Sequence, residues 1–398
     1  MHNLSDATST RPPFWRDERI LGILSQIVVV AIAVGFVAFL VNNLIGSLTV
    51  QLGVPISFSF LDSTAGFDIG ESLIEYERSS TYLRAIMVGL LNTLQVAFLG
   101  IILSTFLGTL IGVMRLSTNF LVSRFASVYI EIFRNIPLLV LLIFWAQAVF
   151  LKFPRIKEAI ILFNPYFPIY LSNRGISAPW GIPTDSWATY LLVLAGGLIL
   201  ASIVAYFLVQ RGKRTGRMPF VTLWFLVIFL LVATIGWIAL PQPLTLSRPI
   251  LDGFNTTGGR VYSQQFLALL SGLTIYTSAF IAEVVRAGIQ SVSKGQQEAA
   301  TALGLGGFQT LRLIIFPQAM RVVIPPLTSQ YLNLTKNTSL AIAIGYPDLF
   351  AVAGNTILNQ TGRAIEVFII VMGIYLSFSL FTSLIMNIYN RRIQLVER

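Results

Sequence analysis

Long apolar runs alternate with short polar ones along the whole chain. No charged residue stands between Arg19 and Asp62, between Arg84 and Arg115, or between Asp185 and Arg211. The same holds between Arg217 and Arg248, Arg260 and Glu283, and Glu366 and Arg391. Each gap accommodates a helix of roughly 20 residues, the length that crosses ~30 Å of hydrocarbon. The pattern predicts an all-α membrane protein with about eight transmembrane helices, near 20–45, 85–114, 125–151, 188–209, 219–240, 265–287, 319–345 and 364–388. The third and seventh carry internal charges. The first apolar run exceeds the ~7–15 residues of a signal-peptide core and is expected to remain as a span.

Composition agrees with this pattern. The 398 residues are 55% hydrophobic and 11% charged, against about 25% charged in soluble domains, and mean hydropathy is +0.77. There is no cysteine, and the single histidine is His2. Disulfides and thiolate metal sites are excluded, and neither a histidine-based metal site nor a histidine acid–base centre is expected. A net charge of +10 in so apolar a chain is read as basic loops that orient it in the membrane rather than as a nucleic-acid surface.

Lys and Arg set the orientation. With the N-terminus inside, 16 of the 27 fall on cytoplasmic segments, and the short loop Arg211–Arg217 is the strongest vote. The expected outer loop, 46–84, is acidic instead, with Asp62, Asp68, Glu71, Glu75 and Glu77. Both termini are then cytoplasmic. The expected organisation is a cytoplasmic tail (1–19), a first span with its outer loop (20–84), and core segments at 85–151 and 265–390. An insertion with two spans (152–264) separates the core segments, and a short cytoplasmic tail (391–398) ends the chain.

The segment 283–326 is the most informative. Residues 296–303 form a good helix around Glu298, Ala299 and Ala300. Gly304, Gly306 and Gly307 break it. A second amphipathic piece, 308–316, places Leu311, Ile314 and Ile315 on one face. Pro317 is expected to end that piece and start the next span. Two short helices at a glycine hinge, offering Gln296, Gln297 and Glu298 outward, suit a docking element for a cytoplasmic partner. The other reading is an ordinary helical loop.

The run Glu298-Ala299-Ala300, Gly304, Ile314, Phe316-Pro317 resembles the EAA motif of bacterial ABC importer permeases, with Phe316 where that family usually has Leu. The stretches 89–97 (GLLNTLQVA), 129–137 (YIEIFRNIP), 282–288 (AEVVRAG) and 334–340 (LTKNTSL) resemble the histidine/glutamine-type polar amino-acid permeases. These stretches lie in residues 85–150 and 265–390, a five-helix core. The extra N-terminal helix and two inserted helices resemble the larger permease subunit of broad-range L-amino-acid importers. The resemblance implies a coupling loop, 288–317, in which Gln297, Glu298, Ala299, Ala300, Gly304 and Pro317 engage an ATPase. The implied partners are a cytoplasmic ATPase dimer, a related second permease, a periplasmic amino-acid-binding protein and membrane lipid. ATP and magnesium would sit in the ATPase, since the chain has no Gly-x-x-x-x-Gly-Lys-Ser/Thr run.

Ionisable groups within spans cost a few kcal/mol or more unless paired or hydrated. Glu131 with Arg134, and Glu283 with Arg286, have the spacing of helical pairs. Each pair is either a structural anchor or part of a substrate path or gate. Lys336 and Asn337 follow a helix that Pro325 and Pro326 are expected to kink. Lys336 either holds a substrate carboxylate or snorkels to the interface. Asn92 is either an interhelical hydrogen bonder or a path residue. The expected function is the membrane subunit of an ATP-driven amino-acid importer in the bacterial inner membrane, without catalytic or metal-ligating residues of its own. The alternative is a secondary transporter that needs no ATPase.

Overall fold

The structure, a computed structural model, describes residues 18–51, 56–163, 167–216, 219–253 and 255–393. His2, most of the N-terminal tail, Arg217 and the last five residues lie outside it. The chain forms two units. In the first, α1 (Glu18–Gln51) carries an apolar stretch, Leu21–Phe36, whose side chains are almost all exposed, as lipid-facing positions are. The same unit includes a knot around Glu366. Its Oε1 accepts from the Ser57 N–H at 3.1 Å and from Arg363 Nη1 at 3.1 Å, and the Arg363 guanidinium also lies over the Phe60 ring.

The second unit is built on helix α2 (Tyr82–Arg115), the pair α3 (Phe120–Asn135) and α4 (Leu138–Phe144), and the hairpin α5 (Trp187–Thr215) and α6 (Val221–Ala239). It continues with α7 (Gln264–Gln290), the short α8 (Lys294–Ala302) and α9 (Gly307–Thr310), α10 (Phe316–Asn337), α11 (Leu358–Thr361) and α12 (Ala364–Ile393). The first three residues of α12 belong to the first unit.

Helix α7 is the central post. A Cβ at Gly108 or Gly112 of α2 would lie 2.7 Å from Ile281 or from the Ala282 carbonyl. Gly272 meets Leu142, and Gly288 meets Val323, in the same way. Small residues let membrane helices interlock where no water remains to be expelled. Val96, Leu138, Leu142, Leu269, Leu273 and Tyr346 close one end of the core. Ile281, Val285, Val323 and Leu327 join α7 to α10 nearer the other.

By length and composition, six described helices can cross a membrane: α2, α5, α6, α7, the continuous run Gly307–Ile344, and α12. The bent α3–α4 pair makes up to seven among the described residues, and the apolar stretch of α1 falls short of the length criterion there, so the expected eight is not confirmed. The expected span 125–151 is broken. Ile136 is extended, Pro137 follows it, and the two halves meet at 104°. Pro disfavours helical backbone at the residue before it.

Pro317 does not end a helix as expected. A π turn, Leu311–Ile315, runs straight into α10, where Pro317 occupies the first turn and needs no N–H partner. Pro325 and Pro326 also lie within the unbroken α10.

The insertion 152–264, expected to add two spans to an all-α chain, also holds eight short strands among its described residues. They are β1 (Ile160–Leu162), β2 (Ile169–Ser172), β3 (Gly175–Ala178), β4 (Trp180–Pro183), β5 (Leu244–Ser247), β6 (Ile250–Asp252), β7 (Asn255–Thr257) and β8 (Arg260–Ser263). One antiparallel sheet has the order β1-β2-β3-β8, β4 pairs with β5, and β6 with β7. Gly175 faces Ser263 across the sheet, so the arm before the α5–α6 hairpin is tied to the arm after it. The hairpin itself interlocks at Gly197 against Val232 and Gly236 against Val193.

Gly108→Leu is expected to cost about 1–3 kcal/mol by overpacking the α2–α7 contact. It should lower the melting temperature in detergent, whereas Gly196→Leu, where nothing lies within 4 Å, should not.

Candidate functional site

Helix α7 separates two polar regions. At its Gln290 end the chain folds into the α8–α9 knob. The N–H of Leu305 bonds to the Ala300 carbonyl at 3.1 Å, and that of Gly304 to the Thr301 carbonyl at 2.9 Å. Gly304 has φ +75, so this is a Schellman stop, in which glycine avoids the Cβ penalty of left-handed backbone. The Gln309 side chain accepts from the Gly306 N–H at 3.0 Å and starts α9. Gln297, Glu298 and Ala299 are exposed, Ala300 is buried, and Pro317 is exposed at the base. Two apolar side chains missing from the sequence reading flank the hinge: Leu303 is 80% exposed and Phe308 74%. Their signal was available, because leucine and phenylalanine beside a glycine break have no helical face to bury.

Beside this end lies a cavity of ≈ 280 Å³ lined by Arg115, Glu131, Arg134, Asn135, Phe280 and Glu283. Glu283 is its organiser. Its Oε2 accepts from Arg286 at 2.8 Å, and its Oε1 lies 3.7 Å from Arg115. Nη1 of Arg115 is buried without a hydrogen-bond partner. The expected Glu283–Arg286 pair is therefore present, with Arg115 as an unforeseen third member. The expected Glu131–Arg134 pair does not form. Arg134 instead lies 5.4 Å over the Phe280 ring, a cation–π contact that competes for the guanidinium.

The Ser263 end is organised by Asn92 and Thr93, both fully buried in α2. Asn92 Nδ2 donates to the Glu71 carbonyl at 2.8 Å and to the Pro347 carbonyl at 2.9 Å. Thr93 Oγ1 accepts from the Leu349 N–H at 2.9 Å. Gly89 gives the 348–349 backbone room to approach. The polar face of α2 thus docks the turn that follows α10.

Asp348, which the sequence reading passed over, is buried in that turn. It accepts from the Ala351 N–H at 2.8 Å and from the Tyr375 hydroxyl at 3.2 Å. Its signal was an N-cap residue ahead of a short apolar helix. Lys336 is exposed and Asn337 half-buried, in the last turn of α10. Asn92 therefore acts as a strut, while Lys336 and Asn337 stand apart from both the Glu283 cluster and the Asn92 contacts.

Glycine-packed spans, one broken span and an exposed helical knob at one end define a multi-pass membrane protein. Residues 197–395 match the family described as binding-protein-dependent transport system inner membrane component. The whole chain is 43% identical to the whole of the general L-amino acid transport system permease protein AapQ of Rhizobium johnstonii. It is 45% identical to the putative amino-acid ABC transporter permease protein YhdX of Escherichia coli, over 94% of each chain. It is 41% identical to the glutamate/glutamine/aspartate/asparagine transport system permease protein BztB of Rhodobacter capsulatus, over 96% of each. The chain belongs to the family of binding-protein-dependent transport system inner membrane components.

Thr93→Val is expected to cost about 1–3 kcal/mol by orphaning the Leu349 N–H, seen as faster hydrogen exchange at Leu349. Glu283→Gln should lower the melting temperature, and Arg115→Gln in the same chain should recover part of the loss. Such a cycle reads a coupling of about 0.5–3 kcal/mol.

Proposed function

We propose that this chain is the permease subunit of an ATP-driven importer of L-amino acids, coupled to its motor through the α8–α9 knob. The observation that carries the reading is the knob itself: a glycine-stopped helix with Leu303 and Phe308 bare on its tip. Polar Gln297 and Glu298 beside an apolar tip fit a cleft on a soluble partner, namely a cytoplasmic ATPase dimer that binds ATP and magnesium. The amino-acid permeases to which the chain is similar along almost its whole length supply the substrate class.

The basic segment around Arg211, Lys213 and Arg214 favours a cytoplasmic position for that end of the α5–α6 hairpin, and an even number of spans would put both chain termini on the same side. The Ser263 end of α7 then faces the periplasm, where an amino-acid-binding protein delivers substrate. A related second permease completes the pathway.

Movement of the knob is transmitted through the π turn to α10 and, across Gly288 and Val323, to α7. The two ends of the bundle then open in alternation. Glu283, Arg115, Arg286, Glu131 and Arg134 form the polar gate at the cytoplasmic end. Lys336 and Asn337 are reserved for the path between this chain and its partner permease.

Gly304→Asp and Glu298→Lys are each expected to abolish ATP-dependent uptake in proteoliposomes while leaving membrane insertion intact. Affinity purification should then recover the permease without its ATPase. Full uptake by either variant, or uptake by the wild type without ATP, would give the secondary-transporter reading precedence.

A further inference from the structure

The acidic loop at the Ser263 end contains a carboxylate that nothing described so far uses. Glu71 lines a cavity of ≈ 400 Å³ together with Ser263, Gln265, Tyr346, Asn355 and Thr356. That volume falls within the ~300–1,000 Å³ of small-molecule sites. The loop is held rigidly, because Asn92 clamps the Glu71 carbonyl.

The Glu71 side chain is only half satisfied. Oε2 accepts from the Ser263 hydroxyl, while Oε1 is buried with no hydrogen-bond partner. Burial pushes this carboxyl above its ordinary range, and the Ser263 hydroxyl offsets part of the shift. Arg260 acts on Glu71 through its field alone. Its guanidinium is engaged over the rings of Trp180, at 4.7 Å, and Tyr262, at 5.3 Å. A buried carboxylate oxygen without a donor is a ready acceptor for a cationic or hydrogen-bonding guest.

Other walls of the cavity offer complementary groups. Asn355 Oδ1 is occupied by Asn359 Nδ2 at 3.0 Å, which leaves the Asn355 N–H donors for an anionic group. Gln265 adds a second side-chain amide.

We propose that this cavity is a periplasmic reception subsite for the zwitterionic end of a free amino acid, with Glu71 taking the α-ammonium and Asn355 the α-carboxylate. The inference rests on the amino-acid reading above. It adds a selection step within the permease, before the gate, that discriminates amino acids from their deaminated or acylated analogues. Charge-assisted hydrogen bonds of this kind are the strong ones, and a single lost ammonium contact is read as about tenfold or more in affinity.

The test uses the intact purified transporter without its soluble binding protein. The probe is whichever of the standard L-amino acids wild-type proteoliposomes take up fastest when the binding protein and ATP are present. If none is taken up, the amino-acid reading fails before the subsite is tested. Binding of that radiolabelled probe to the receptor-free complex is then competed with its N-acetyl derivative.

Wild type should favour the free amine by about tenfold or more, and Glu71→Gln should erase that preference at an unchanged melting temperature. Asn355→Ala should instead erase the preference for the free carboxylate over the α-amide, which keeps the proposal testable if Glu71→Gln misfolds. The proposal is overturned if the wild type binds both forms alike, or if Glu71→Gln and Asn355→Ala both retain wild-type discrimination. It is equally overturned if either variant, at an unchanged melting temperature, weakens all ligands equally.

Discussion

Between two lipid-solvated helices there is no water to expel, so α2 and α7 hold together only as far as their surfaces interlock. Gly108 and Gly112 bring the α2 backbone within van der Waals reach of Ile281 and the Ala282 carbonyl. Hydrogen bonds between side chains then pin neighbours to this pair. Tyr129 meets Ser278 at 2.7 Å, and Thr105 meets Tyr331 at 2.9 Å, fastening α3 to α7 and α10 to α2. Both polar regions hang from this post: Arg115 ends α2 beside Glu283, and Ser263 caps the other end of α7 at the Phe266 N–H.

The spans were legible because charge is excluded from them, and the knob because glycine marks a stop that backbone geometry demands. The break at Ile136 had a local signal in Asn135 and Pro137 that the reading of 125–151 as one span overrode, and the 104° bend shows which prevailed. The strands were hidden for another reason. The β3 strand is four residues of ordinary composition, and its partner β8 comes only after the α5–α6 hairpin. Pairing across such a distance leaves no local periodicity. Spacing within one helix correctly suggested Glu283 with Arg286, yet it could not show Arg115 arriving from α2. The same spacing misjudged Glu131 and Arg134, where an aromatic ring on a neighbouring helix took the cation.

The β3–β8 pairing also explains how a core can tolerate a large insertion. Gly175 and Ser263 lie opposite each other, so chain leaving the core returns almost where it left. The hairpin can then be long or absent without moving the N-terminus of α7. A sheet outside the hydrocarbon is the suitable clasp, because an open strand edge within lipid would leave backbone groups unpaired.

The absence of a break at Pro317 has a mechanical consequence. The run Gly307–Ile344 is one continuous helix, roughly 55 Å long at 1.5 Å per residue. It includes Phe308 on the knob, and Ile342, near its other end, lines the cavity that holds Glu71. A jointed connection would dissipate a push delivered at one end. A single rod converts it into a tilt felt at once at the other, so the position of Phe308 and the shape of the distant cavity become two readings of one lever's angle.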